Sequence, residues 1–492
     1  MESRVRVRGN LAVQPCARAA DGARPLIVDL DGTLLRTDLL IETASAYVIR
    51  NPLRAFSLLA WSIRGRPYLK ARLAAYTSVD VATLPYNEPL LAWLREQKDR
   101  GTRLVLATAT HRALAEAVAS HMGLFDEVLA TETRNLKGPA KAERLTQRFG
   151  AHGFDYLGDH RSDLPVWAAC RRAWLVAPDR PLQARAGRLG LELQPVVPRE
   201  ARALRAWWRA LRVHQWLKNL LVLVPLVSAH RLTSAGDIAS AAWAVVCFCL
   251  LASGAYLVND LADVAEDRRH ATKRARPFAN GDLPLAQGWV AAPLLVALSL
   301  ALAYGRLPLL ACAWLVAYFG LALAYSLRLK QTLLLDVVTL SILYTLRLLA
   351  GAAAIEVPVS IWLLTFALFI FTSLALIKRY AELFTLGHVA EAAPGRAYRA
   401  ADRPLVAALG VGCGLVSVVV LALYIQDPAT ARLYDRPGMI WLACPILLYW
   451  VARAWVVTHR GGMREDPVLF ALHDRASIVS GVLFLLVFYL AA

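Results

Sequence analysis

Asn259-Asp260, Asp263 and Asp267 follow directly on the apolar run 241–258, and the three aspartates are spaced i, i+3, i+7. On a helix that spacing stacks the carboxylates on one face, with Asn259 at its edge. Three carboxylates beside a bilayer are costly unless cations neutralise them. An all-oxygen ligand set suits Mg²⁺, which binds through one or two carboxylates plus substrate phosphates. Lys273, Arg274 and Arg276 follow a few residues on. Acid and base at one place suit a diphosphate bridged by metal; the plainer alternative is a solvated helix end with alternating charges.

A second set lies near the N-terminus. Pro25-Leu-Ile-Val-Asp29-Leu-Asp31-Gly32-Thr33 is an apolar strand entering a tight turn. Residues two apart leave a strand on the same side, so Asp29 and Asp31 can act as nucleophile and general acid/base. The strand 103–110 ends in hydroxyls, of which Thr108 can hold a phosphoryl oxygen and Thr110 is expected to cap the next helix. Lys141 opens a helix over 142–149 and supplies a cation, with Lys137 as its rival. A third strand ends in Asp159 and Asp163, a carboxylate pair fit for Mg²⁺.

The elements that must position these residues divide the chain in two. Of 492 residues 57% are hydrophobic, too many for an ordinary soluble protein, and the excess lies after Trp216. Strands alternating with helices predict an open parallel sheet over 24–195, with a helical cap over about 38–90. The cap's apolar runs 55–63 and 71–76 fit a membrane-facing surface or ordinary cap packing. Spans long enough to cross a bilayer fall near 217–231, 237–258, 285–303, 307–326, 333–355, 358–377, 404–425, 438–457 and 475–491. Basic residues crowd the even-numbered connections, which places these and the N-terminal domain in the cytoplasm of a multi-pass inner-membrane protein. Between the domains, 196–216 reads as a linker and an interfacial helix carrying Arg202, Arg205, Arg209, Arg212 and Trp207-Trp208. Residues 1–23 are Arg-rich, without an apolar core, and read as disordered and not as a secretory signal. A net charge of +18 in such a chain implies anionic lipid and phosphate contacts, with no nucleic-acid partner. The seven cysteines show no metal spacing and read as apolar fillers.

Charges at or inside the spans are functional candidates by default. These are Asp336 and Arg347 in the fifth, Lys378, Arg379 and Glu382 ending the sixth, and Asp466, Asp474 and Arg475 before the ninth.

Over 211–492 these residues resemble the UbiA superfamily of intramembrane prenyltransferases. The motifs are Asn259-Asp260-x-x-Asp263-x-x-x-Asp267 and Tyr325-Ser-Leu-Arg-Leu-Lys330 followed by Asp336. Within it the chain is most similar to polyprenyl-phosphate phosphoribosyltransferases, through Trp216-Leu-Lys218-Asn219, Thr272-Lys273-Arg274-x-Arg276-Pro277, Lys378-Arg379-Tyr380-Ala-Glu382 and Glu465-Asp466-Pro467. A second Asp-x-x-x-Asp pair, usual in members that prenylate aromatic rings, is missing: Asp336 is followed by Val-Val-Thr-Leu. Over 24–190 the chain resembles the haloacid-dehalogenase (HAD) phosphatases. That resemblance gives Asp29 as nucleophile, Asp31 as acid/base, Thr108 and Lys141 as phosphate contacts, and Asp29, Asp31, Asp159 and Asp163 as Mg²⁺ ligands.

The resemblances imply an α/β HAD-like, Rossmann-type domain joined to an all-α polytopic membrane domain at 217–492. They imply Mg²⁺-dependent transfer of a phosphoribosyl group from phosphoribosyl pyrophosphate to a polyprenyl phosphate, with the phosphatase acting on the product. Asp260, Asp263 and Asp267 would hold metal. Asn259, Lys273, Arg276, Lys330, Asp336, Arg347, Lys378 and Arg379 would bind substrate. One alternative moves a prenyl group from a prenyl diphosphate to an aromatic acceptor. The other is a membrane-anchored phosphatase with a scaffold or transport domain.

Overall fold

The computed structural model describes residues 24–197, 203–386, 397–427, 433–463 and 466–492. The expected disorder of 1–23, and Pro198, Arg199, Arg202, Arg396, Arg432, Arg464 and Glu465, lie outside the described residues. The chain divides into two compact units, Met1–Ala201 and Arg202–Ala492.

In the first unit, six strands run β1 (Leu26–Val28), β2 (Leu104–His111), β3 (Glu127–Thr131), β4 (Asp155–Gly158), β5 (Ala173–Val176) and β6 (Leu193–Val197). They form one parallel sheet in the order β3-β2-β1-β4-β5-β6. β1 sits inside it, and its Ile27 and Val28 are fully buried, as a strand covered on both faces requires. Between β1 and β2 lie α1 (Leu39–Arg50), α2 (Ala55–Ile63), α3 (Arg66–Tyr76) and α4 (Glu88–Asp99), the first three within the expected cap. The helices α5 (Arg112–Met122), α6 (Pro139–Phe149), α7 (Leu164–Ala169) and α8 (Arg180–Arg188) alternate with the later strands. α6 starts earlier than expected, at Pro139, whose fixed φ suits a first helical turn. β6 extends to Val197, into the start of the expected linker, and pairs Pro195 with Leu175 at the sheet edge, where proline's missing N–H is tolerated.

The second unit is helical: α9 (Ala203–Ala210), α10 (Val224–Ser228), α11 (Ala235–Ala262), α12 (Val264–Arg269), α13 (Leu285–Tyr304), α14 (Leu309–Leu327), α15 (Leu335–Ala354), α16 (Ile361–Leu386), α17 (Arg403–Gln426), α18 (Ala443–His459), α19 (Pro467–His473) and α20 (Arg475–Ala491). Among the described residues seven helices are long and apolar enough to cross a membrane, and α19 with α20 form an eighth candidate bent by 84°. Outward side chains such as Leu294, Val419 and Val482 are more than half exposed, as lipid-facing residues must be. The protein is a multi-pass membrane protein.

Two expectations change here. The first expected span is not an α-helix: Val213–Leu223 is a 3₁₀ run, and Pro225 opens the short α10. The run nevertheless passes antiparallel along α11. Trp216 bonds Ser253, Asn219 bonds Cys249, and Leu226 clusters with Ala241. At about 2.0 Å per residue for 3₁₀ and 1.5 Å for α, the stretch covers roughly 30 Å, the thickness of a hydrocarbon core. The sixth span is longer than expected, since α16 continues through Lys378, Arg379 and Glu382 instead of ending there.

Candidate active sites

In the first unit the site lies where β1 and β4 end. Asp29, Asp159 and Asp163 each bring a carboxylate oxygen within 4.8 Å of the others. Lys141, in the first turn of α6, donates to Asp29 Oδ1 at 2.8 Å and to the Tyr156 hydroxyl at 3.0 Å. Tyr156 in turn donates to Asp163 at 3.1 Å. Lys137 is exposed, so Lys141 is the cation at this cluster. Thr33 donates to Asp159 at 3.1 Å. Gly32 makes the turn with φ +80°, and a Cβ there would stand 2.2 Å from Asp159 Oδ2. Burial, with Asp29 beside them, raises the Asp159 carboxyl well above its ordinary value and Asp163 to about 6. Three carboxylates, with Asp29 and Asp163 buried and Asp159 half-buried, face one ammonium and are short of positive charge, and their oxygen-only donors fit Mg²⁺.

Asp31 turns elsewhere. Its Oδ1 accepts from the Leu39 N–H at 2.8 Å, and its Oδ2 from Thr110 at 2.6 Å and, more weakly, Thr108 at 3.5 Å. Burial, with Asp38 and Asp29 nearby, lifts its carboxyl to about 7. Its side chain is thus not in the three-carboxylate group, which was expected to include it. Thr110 is not the expected helix cap: it lies within β2, and His111 caps α5, accepting from the Ala113 N–H at 3.4 Å. Thr110's position two residues from Thr108, on the same strand face, was the available signal. Lys70, also missed, reaches from α3 to the Ala109 carbonyl at 2.5 Å and Asn135 at 2.8 Å.

In the second unit the aspartates do not share one unbroken helix. α11 ends at Ala262, and Asp263 stands between it and α12. Asp260 and Asp267 still converge, because Arg276 Nη1 donates to both, at 3.2 and 2.7 Å. Arg212 adds a second donor to Asp260 at 2.5 Å. Asp263 faces Lys330 instead, at 2.5 Å. Burial raises Asp267 to about 6 even with Arg276 beside it. Asn259 is half-buried next to Asp260, while Lys273 is exposed on a 3₁₀ turn. The donor set is again carboxylate oxygen and fits Mg²⁺, but each carboxylate already has a basic partner. Arg212 was read only as part of an interfacial helix; it takes a left-handed turn, φ 51°, at the end of that stretch.

The other expected residues form three separate groups. Asp336 is fully buried, 3.0 Å from Arg379 Nε and accepting from Tyr398 at 2.7 Å, while Arg379 also pairs with Glu382. Arg347 donates to Asn219 at 3.0 Å, Tyr318 at 2.9 Å and the Leu343 carbonyl at 2.7 Å. Lys218 and Lys378 converge on Asp466 at 2.6 and 3.4 Å. Burial, the largest influence on Asp466, would raise it, yet the two ammonium groups bring it down to about 2.

A family model for UbiA prenyltransferases matches residues 221–473, and one for haloacid dehalogenase-like hydrolases matches residues 26–168. An uncharacterized protein of Sinorhizobium fredii is 33% identical over 96% of this chain and 92% of its own length. The decaprenyl-phosphate phosphoribosyltransferase of Mycobacterium tuberculosis is 32% identical over 54% of this chain and 87% of its own. A solved UbiA homolog from Archaeoglobus fulgidus, bound to GPP and Mg²⁺, covers 58% of this chain and 99% of its own, at 16% identity and a TM-score of 0.46. The chain belongs to the UbiA prenyltransferase family and carries a HAD-like hydrolase domain in its N-terminal unit.

Proposed function

We propose that the membrane unit transfers a phosphoribosyl group from phosphoribosyl pyrophosphate to a polyprenyl phosphate. The HAD unit then hydrolyses the 5-phosphate of the lipid-linked product, and both act on the cytoplasmic face of the cell membrane. The observation that carries this reading is Asp336. A second acidic cluster for a prenyl diphosphate would need this carboxylate open to metal. Instead it is fully buried and committed to Arg379 and Tyr398. The M. tuberculosis relative's name supports the same transferred group and a polyprenyl-phosphate acceptor.

In the transfer, a lipid phosphate oxygen attacks the anomeric carbon, and pyrophosphate leaves with the bonding pair. Arg212, Arg276 and Lys330 are placed to turn from their carboxylates to that leaving group. Fixed positive charge at a developing anion is usually the largest catalytic contribution. Lys378, on α16, is a candidate to hold the lipid phosphate. Mg²⁺ at Asp260, Asp263 and Asp267 would supply further charge neutralisation there. In the HAD unit, Asp29 attacks the phosphorus while Asp31 gives its proton to the leaving ribosyl oxygen. Water then cleaves the aspartyl phosphate and Asp31 takes the proton back. Lys141 fixes Asp29 Oδ1, leaving the other oxygen to attack, and Thr108 holds a phosphoryl oxygen. Mg²⁺ at Asp29, Asp159 and Asp163 would offset charge on the phosphoryl group. Joining the units in one chain raises the effective concentration of product at the second.

The test is a transfer assay on the purified chain with Mg²⁺, decaprenyl phosphate and radiolabelled phosphoribosyl pyrophosphate. Label should enter the lipid phase with wild type and not with Asp260→Ala. The 5-phosphorylated lipid should accumulate only with Asp29→Asn. Membership in a prenyltransferase family favours one other reading, transfer from a prenyl diphosphate to an aromatic acceptor. That activity, with no label in lipid, would replace the proposal.

A further inference from the structure

Helix α2 of the HAD unit's cap is inside out. Its outer face is Phe56, Leu59, Ala60 and Ile63, with Phe56 72%, Leu59 65% and Ile63 88% exposed. None of its nine residues is fully buried. Of its two serines, Ser57 points inward, bonding the Tyr47 hydroxyl at 3.1 Å and the Arg54 carbonyl at 2.7 Å, while exposed Ser62 folds its hydroxyl back onto the Leu58 carbonyl at 2.6 Å. Trp61 anchors the inner side, stacked on Tyr76 with ring centroids 5.7 Å apart and packed on Tyr47 at 5.1 Å. A cap helix facing water has the opposite pattern, apolar inward and polar outward. Exposed Leu53, at 71%, extends the same patch from the preceding turn.

The charge around the patch is one-sided. Residues 39–76 contain Arg50, Arg54, Arg64, Arg66, Lys70 and Arg72 against one acid, Glu42, which is buried and bonded by Thr37. Arg50 stands before the patch and Arg64 and Arg66 behind it, all exposed. Apolar side chains projecting between arginines are the pattern of an interfacial helix on an anionic membrane. A second copy of the same face is a poor occupant, since it would bring the two sets of arginines together. The chain's own membrane unit keeps a bilayer within reach.

We propose that α2 docks on the bilayer, with Phe56, Leu59 and Ile63 entering the headgroup–acyl boundary and Arg50, Arg64 and Arg66 pairing with anionic lipid phosphates. This goes beyond the relay: it assigns the cap a lipid surface whatever the phosphatase's substrate is. It would also bring the cap side of the cleft to the layer from which a lipid-linked phosphate is presented.

The test uses the full chain in nanodiscs containing phosphatidylglycerol, with a nitroxide at Leu59→Cys and, for comparison, at Gln183→Cys on α8. Both positions are exposed, so neither substitution disturbs packing; the chain with no added cysteine gives the background. Collision with oxygen should exceed collision with a nickel chelate several-fold at position 59 and fall below it at 183. Nickel-chelate access at 59 equal to that at 183 would overturn the proposal. Shielding from both reagents would overturn it too, since protein and not lipid would then cover the face. Arg50, Arg64 and Arg66 replaced together by Glu, or phosphatidylcholine used alone, should lower the oxygen preference; no change in either would refute the anionic pairing. The readout is depth, not turnover, so it stands or fails separately from the proposed reaction.

Discussion

The two acidic sites of this chain have the same ligand chemistry and opposite charge balance. In the HAD unit, Asp29, Asp159 and Asp163 face one cation, Lys141. In the membrane unit, Asp260, Asp263 and Asp267 face three: Arg212, Arg276 and Lys330. The first is short of positive charge at rest and calls for a metal. The second is balanced without one, since each carboxylate already faces a base; in the proposed transfer pyrophosphate would compete for those bases. Similar sequence signals, clustered aspartates near a base, thus build one site short of positive charge and another whose charges are already paired.

The sharpest way to break the comparison is to disable each site alone. Asp260→Ala should lower lipid labelling about ten-thousand-fold and leave hydrolysis of a soluble phosphate ester unchanged, with Asp29→Asn doing the reverse. Loss of both activities in either variant would mean that the sites are not independent. Next in size is Lys141→Met. Removing the single cation should cost the phosphatase roughly a hundred- to a thousand-fold in kcat, measured on the same soluble ester. A third contrast needs no turnover. Mg²⁺ at about a hundred times its Kd should stabilise the HAD unit by about 2.7 kcal/mol, seen as a rise in its calorimetric transition. The membrane unit's transition should move only when phosphoribosyl pyrophosphate is also present.

The smallest effect comes from the group with the reverse balance, Asp466 between Lys218 and Lys378. Its folded-state pKa is depressed to about 2. The stabilisation is therefore complete above the unfolded value near 4 and is lost as pH falls from there towards 2. It amounts to about 2 kcal/mol. Detergent melts across that window should show the loss in wild type and not in Asp466→Asn, which should already be less stable at neutral pH.

Much of the layout could be read from local pattern. The parallel sheet, the cap and most spans follow from apolar period and run length, which depend only on neighbouring residues. Three errors are instructive. Asp263 breaks the helix expected to carry three aligned aspartates, Pro225 and a 3₁₀ run replace the first helical span, and Thr110 bonds Asp31 instead of capping α5. For Asp263 and Thr110 a contact made in the folded chain accompanies the departure from local preference, whereas Pro225 was itself a local signal.

By itself the sequence determined which residue types could do the chemistry and which strand end or span carries them, because those depend on type and spacing along the chain. Tertiary structure alone decided which base meets which acid. Lys141 reaches Asp29 from 112 residues away, Lys330 reaches Asp263 from 67, and Lys218 reaches Asp466 from 248. Ionic partners need only be near in space, and no periodicity along the chain records that closeness.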